Sequence, residues 1–174
     1  MIREATEAET GKVVFDLTHF ENATGVTLPA AFLRGVANAN LNLEIALPGG
    51  TVTFGQAALT NIIRSAQGIG ITVTVAQQTA VENNPVFELT VSDGTRNITE
   101  FSAPVEVRIG YTPHPGQNLD ALVVYHVDAD GGLKIMRDAF FDTATGEMVF
   151  TTTHFSMFMI VHNLVSFYDV TEGH

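Results

Sequence analysis

The chain has 174 residues, enough for one domain whose core folds without staples, and its 45% hydrophobic against 16% charged residues exclude a generally disordered polypeptide. Acidic residues outnumber basic ones 19 to 8, for a formal net charge of −11 with the lysines and arginines scattered singly, so nucleic acid and anionic membranes are disfavoured as partners. Cysteine is absent, which removes disulfides, thiolate catalysis and zinc–thiolate sites together.

Residues 1–11 are polar and acidic and are expected to form a flexible lead-in to a single β-rich domain over 12–170, with 171–174 as a frayed tail. This N-terminus has no apolar core and does not read as an export signal. No apolar run reaches the roughly 18 to 20 residues of a membrane-spanning helix, so no membrane insertion is expected. A short helix is predicted from Pro29 to about Asn40, with Pro29 at the first helical position and Phe32, Leu33, Val36 and Ala37 as its apolar stripe. Leu41, Leu43, Ile45 and Leu47 then alternate with polar residues as a strand with one buried face. A second helix carries Leu59, Ile62, Ile63 and Ala66 at helical spacing, with Gly68 as its stop. Alternation resumes at Ile69, Ile71, Val73, Val75, at Phe87, Leu89, Val91, at Val105, Val107, Ile109, and at Val123, Tyr125, Val127. Tight-turn signals separate these runs, among them Ser92-Asp-Gly94, Pro113-His-Pro-Gly116 and Asp128-Ala-Asp-Gly-Gly132. The pattern predicts a mainly β (α+β) fold, a β-sandwich or partly open barrel of about ten strands with two short helices at sheet edges or ends.

The segment Val149-Phe-Thr-Thr-Thr-His-Phe-Ser-Met-Phe-Met-Ile-Val161 places a His, an aromatic and a hydroxyl in series. Ser156 could attack the carbonyl of Phe155 if His154 took its proton and the amide were twisted, an N-to-O acyl shift that requires backbone strain. The competing reading is an ordinary strand in which His154 and Ser156 make structural hydrogen bonds. Asp128 and Asp130 resemble the start of a calcium loop, but the later bidentate Glu is missing, and Asp-Gly between two alternating runs is first a hairpin turn. Asp138 and Asp142 could join such a site and more simply cap another turn. The histidines His19, His114, His126, His154, His162 and His174 show no metal-binding spacing on a helix, and His126 and His162 read as surface or half-buried strand residues. Gly68-Ile-Gly70 precedes a strand, the wrong order for a dinucleotide loop, so no cofactor is expected.

Val26-Thr-Leu-Pro-Ala-Ala31, Leu43-Glu-Ile-Ala-Leu-Pro-Gly-Gly-Thr-Val-Thr53, Pro85-Val-Phe-Glu-Leu89, Pro104-Val-Glu-Val107, Leu122-Val-Val-Tyr-His-Val-Asp128 and Phe150-Thr-Thr-Thr-His-Phe-Ser156 together carry a resemblance. The chain resembles, from about Val26 to Val161, a β-rich module of Gram-positive bacterial surface proteins that accompany surface-layer homology repeats. Its Gly-Gly-Thr-Val start and His-Phe-Ser end are also similar to the β-sandwich domain shared by ankyrins, netrin receptors and a self-cleaving death-domain protein. The bacterial resemblance implies an extracellular structural or interaction role, with neighbouring surface-protein domains or cell-envelope proteins as partners and no catalytic residue to carry over. The second implies His154 and Ser156 as the cleavage pair in members that cut. The chain lacks any surface-layer homology repeat, so wall anchoring is not implied. Three readings result: a non-enzymatic cell-surface module, an autoproteolytic domain cutting Phe155–Ser156, and a carbohydrate-binding sandwich. The absence of Trp and the presence of only three Tyr place the last behind the others.

Overall fold

The computed structural model describes residues 4–7 and 11–162. In chain order the elements are β1 (Glu4–Glu7), β2 (Lys12–Asp16), β3 (Gly25–Pro29), α1 (Ala30–Asn38), β4 (Asn42–Leu47), β5 (Gly50–Phe54), α2 (Gln56–Ser65), β6 (Gly70–Val81), β7 (Asn84–Ser92), β8 (Glu100–Gly110), β9 (Leu122–Val127), β10 (Leu133–Ile135), β11 (Phe140–Asp142), β12 (Glu147–His154) and β13 (Met157–His162). The first sheet has the order β1-β2-β4-β5-β8-β12-β11 and the second β10-β9-β13-β7-β6-β3. They pack face to face as a mainly β sandwich with two short helices, the predicted fold class. The thirteen described strands exceed the expected ten because β1, β10 and β11 are only three or four residues long, too short to carry a period-two signal. β1 pairs with β2 inside the stretch expected as a lead-in, and the expected tail 171–174 lies outside the described residues.

The helices exist because the chain changes sheets. β2 and β4 are parallel neighbours, and parallel neighbours need a crossover. Here the chain leaves β2, joins the second sheet as β3, and returns through α1 to β4. Between β5 and β6, α2 carries it across again. The two helices pack on each other and α2 on β8, while Phe32 of α1 meets Phe15 edge-on at 5.3 Å. Pro29 caps α1 in an extended conformation rather than occupying its first helical position. At the other end the Leu41 N–H donates to the Val36 carbonyl and the Asn40 N–H to that of Ala37, with Asn40 at φ 60°. That is a Schellman stop with Asn in the left-handed position.

The core fills the space between the sheets from both inner faces. Leu43, Ile45 and Leu47, then Ile71, Val73 and Val75, then Val105, Val107 and Ile109 are all buried, as their alternation predicts. Two expectations are corrected. Ile69 stands before β6 begins and is 92% exposed, so the buried set of that strand starts at Ile71. In β9 the inward residues are Leu122 and Val124, and Val123, Tyr125 and Val127 point the other way.

Beyond the end of α2 the chain is pinned by Asp93. This carboxylate, 4% exposed as a residue, accepts the backbone N–H groups of Gln67 (2.8 Å), Thr95 (2.9 Å) and Arg96 (3.0 Å) and the Thr95 hydroxyl (2.7 Å). These bonds, the one from Gln67 first, hold its pKa well below the usual carboxylate range. Gly68 does not end the helix, which stops at Ser65. A β-carbon there would sit 2.1 Å from the Asp93 carbonyl oxygen, so the position demands close backbone approach.

Candidate functional site

β12 runs inward-outward with Phe150 and Thr152 buried and Thr151 and Thr153 exposed. Its pairing with β8 then slips. Thr152 pairs with Val105 but His154 pairs with Glu100, so the short step on β12 faces a longer loop of β8 containing Ser102 at φ 59° and Pro104, which has no N–H to offer. Beside this irregularity the buried Thr152 hydroxyl bonds two backbone groups of His154, donating to its carbonyl (2.8 Å) and accepting from its N–H (3.3 Å).

The bulge turns the chain at Phe155–Ser156, where it crosses from the first sheet to the second. Phe155 is 3% exposed and packs edge-on against Phe101 at 4.8 Å, with Phe54 at 5.9 Å. Its N–H donates to the Thr99 carbonyl (3.1 Å), and the Ser156 carbonyl accepts from the Leu89 N–H (2.9 Å). The bond is trans, and neither residue is in the left-handed region. Ser156 is half-buried and borders a cleft of about 140 Å³ with Glu88, Thr90, Asn97 and Thr99 among its walls. The sequence neighbours His154 and Ser156 are not brought together as base and nucleophile. The His154 ring lies against His126 of the opposite sheet, centroids 4.4 Å apart and nearly perpendicular, with Phe158 at 6.3 Å. Among the described residues the His154 side chain makes no hydrogen bond, while its backbone bonds the Thr152 hydroxyl. A general base has to reach the proton it removes, at about 2.6–3.2 Å between heavy atoms.

His126 is half-buried, and its pKa is moved below the ordinary histidine value by burial first and by the neighbouring His154 second, with Asp128 opposing and Lys134 reinforcing. His162 is also half-buried and accepts the Asn118 N–H at 3.2 Å, while His19 and His114 are exposed. His174 lies outside the described residues.

Asp128 works as a turn residue. Its Oδ1 accepts the N–H groups of Asp130 (3.0 Å) and Gly132 (2.7 Å), and the Asp128 N–H donates to the Gly132 carbonyl (2.9 Å) and the Gly131 N–H to the Asp128 carbonyl (3.0 Å), closing the β9–β10 hairpin. Asp138 accepts the N–H and hydroxyl of Thr151, and Asp142 accepts the Ala144 N–H and an Arg108 N–H, so neither is gathered with Asp128. Among the described residues no three His, Asp or Glu side chains cluster so as to hold a metal ion.

The outer faces of the two sheets differ in chemistry. The first carries ion pairs: Lys12 with Glu44 at 2.8 Å, and Arg108 with Glu106 at 2.9 Å, Asp142 at 3.4 Å and Glu147 at 3.6 Å. On the second, β3, β6 and β7 present Thr27, Thr72, Thr74 and Thr90 as hydroxyl pairs. The other half of that face is apolar. Register places Leu133, Val127 and Met157 in one row, Ile135, Tyr125, Met159 and Val86 in the next, and Val123 beside Val161 in the third. Val86 and Met159 are 5% and 7% exposed yet stand outside the inter-sheet core, while Leu133 and Ile135 are exposed at 54% and 39%. Strand alternation alone assigns half of these residues to the core. The available signal is continuity: Leu122–Tyr125 and Met157–Val161 are unbroken apolar runs, the pattern of strands covered on both faces.

No family model, no curated protein and no solved structure matches this chain.

Proposed function

We propose that this domain is a non-enzymatic structural and interaction module of an exported bacterial cell-surface protein, which meets a neighbouring domain of the same polypeptide through the apolar outer face of its second sheet. The observation that carries the reading is the three-row apolar face on β9, β10, β13 and the end of β7. The nine residues of these rows occupy about 300 Å² at ordinary sheet spacing, bordered by the exposed Glu88 on β7, and an apolar patch of this order marks a contact surface. Magnitude selects the kind of partner. Covering this patch is worth at most about 7 kcal/mol, since Val86 and Met159 are already buried, which does not exceed the cost of associating two free molecules. A linked neighbour escapes most of that cost through its high effective concentration. The location and family expectation rest on the sequence resemblance. No helix among the described residues is long and apolar enough to cross a membrane.

The test joins the chain to the segments that flank it in its gene and measures thermal unfolding of the joined and isolated forms, together with protease accessibility on intact cells. The joined form is expected to melt several degrees higher, and Tyr125→Glu with Ile135→Glu should remove that gain while leaving the isolated domain folded. Retention of the product inside the cell, or an unchanged gain in the double variant, would overturn the proposal.

A further inference from the structure

One imidazole from each sheet meets its counterpart at the open end of the sandwich. His126 stands on the inward side of β9, between Val124 and the hairpin turn, and His154 stands at the end of β12 just past the bulge. Their centroids are 4.4 Å apart at 87°, and Phe158 of β13 lies 5.5 Å from His126 and 6.3 Å from His154. A perpendicular contact at this distance suits two neutral rings, one presenting its edge to the face of the other. Two imidazolium cations at the same distance repel, and the half-buried setting weakens solvent screening of that repulsion.

The surrounding charges do not cancel it. Lys134 of β10 pairs in register with His126 and adds a cation. Asp128 is the anion on the β9 side, but its Oδ1 is committed to two backbone N–H groups of the turn. Glu100 of β8 pairs in register with His154 and is exposed to solvent. Phe158 offers only a ring. One anion engaged in a turn and one facing water leave a doubly protonated pair under-compensated.

We propose that His126 and His154 form an acid-sensitive clasp between the two sheets, closed while both rings are neutral and opened when both are protonated. Burial of His126 works in the same direction, since it penalises the charged ring. The sign follows from linkage. A histidine whose folded pKa lies below its unfolded value of about 6.5 contributes stability that is full above pH 6.5 and is lost as pH falls toward the folded value. Most carboxylates stay ionised over that interval, so the histidine contribution is separable from general acid unfolding. The clasp stands on this geometry whether or not the outer face of β9 has a partner.

The experiment is urea unfolding of the full chain at pH 7.5 and pH 5.0 for the native protein, His126→Gln, His154→Gln and the double variant, with NMR titration of the histidine ring protons in the native chain and in His154→Gln. The native midpoint is expected to fall between the two pH values, each single variant to fall less, and the double variant least. In the titration the His126 ring should change charge below the ordinary histidine range and move toward it when His154 is replaced. If all four proteins lose stability in parallel, or if His126 titrates at the ordinary value regardless of residue 154, the clasp is wrong. Should His154→Gln fail to fold, His154→Phe keeps an uncharged ring beside His126, and the movement of the His126 curve between it and the native chain decides.

Discussion

Asp93 and Gly68 lock one corner of the sandwich through a carboxylate that receives four hydrogen bonds and a backbone contact that leaves no room for a methyl group. Gly68→Ala is expected to lower stability by about 1–3 kcal/mol, read as a lower urea midpoint, because backbone rather than a flexible side chain must yield. Asp93→Asn should destabilise the fold at neutral pH, since the amide nitrogen cannot accept the N–H groups that one carboxylate oxygen now receives. The pH dependence has a definite sign. A depressed carboxylate contributes stability that is present above its unfolded value near 4 and is lost as pH falls below it, so the native chain should lose more than the variant under acid. Equilibrium unfolding at pH 7 and at pH 3 checks both statements. Neither role is legible in the sequence: Gly68 reads as a helix stop and Asp93 as a turn residue, because the contact between residues 68 and 93 exists only once α2 and the β7–β8 turn are assembled.

At the scale of elements, the bulge of β8 against the end of β12 and the doubly apolar strands β9 and β13 hold the most information. Thr152→Val keeps the shape but removes both hydrogen bonds to the His154 backbone, so a loss of about 1–3 kcal/mol is expected. Thr153→Val, at an exposed position beside it, should change stability by less than about 0.5 kcal/mol. For β9 and β13 the two faces should respond differently. Ile160→Ala removes a side chain 2% exposed in the core and should cost about 2–5 kcal/mol, whereas Tyr125→Ser on the outer face should cost the isolated domain far less. Calorimetry of the pair separates the faces. Alternation locates β4, β6 and β8 correctly because each has one apolar and one polar parity, and β7 because only Val86 breaks that pattern. It assigns β9 to the wrong face because Leu122, Val123, Val124 and Tyr125 offer apolar residues on both, and only pairing with β13 decides which set meets the core.

For the whole molecule, the crossing at Phe155–Ser156 joins the two sheets, so its integrity can be read on the intact chain. The His154 ring is directed to the opposite sheet and the flanking backbone groups are held by Thr99 and Leu89. A single species of 174 residues is expected by mass spectrometry under denaturing conditions in fresh and aged samples, and unchanged in Ser156→Ala. Fragments of 155 and 19 residues, abolished by that substitution, would restore self-cleavage. Composition, alternation and turn spacing by themselves determine a mainly β chain with two short helices and an acidic character, because these are local or summed properties of residues. The tertiary structure alone decides that the helices carry the chain between sheets, that His154 meets His126 rather than Ser156, and that half of one outer face is apolar. Each of these depends on which distant strands become neighbours and on which parity of a strand turns inward, and a period of two is the same seen from either side.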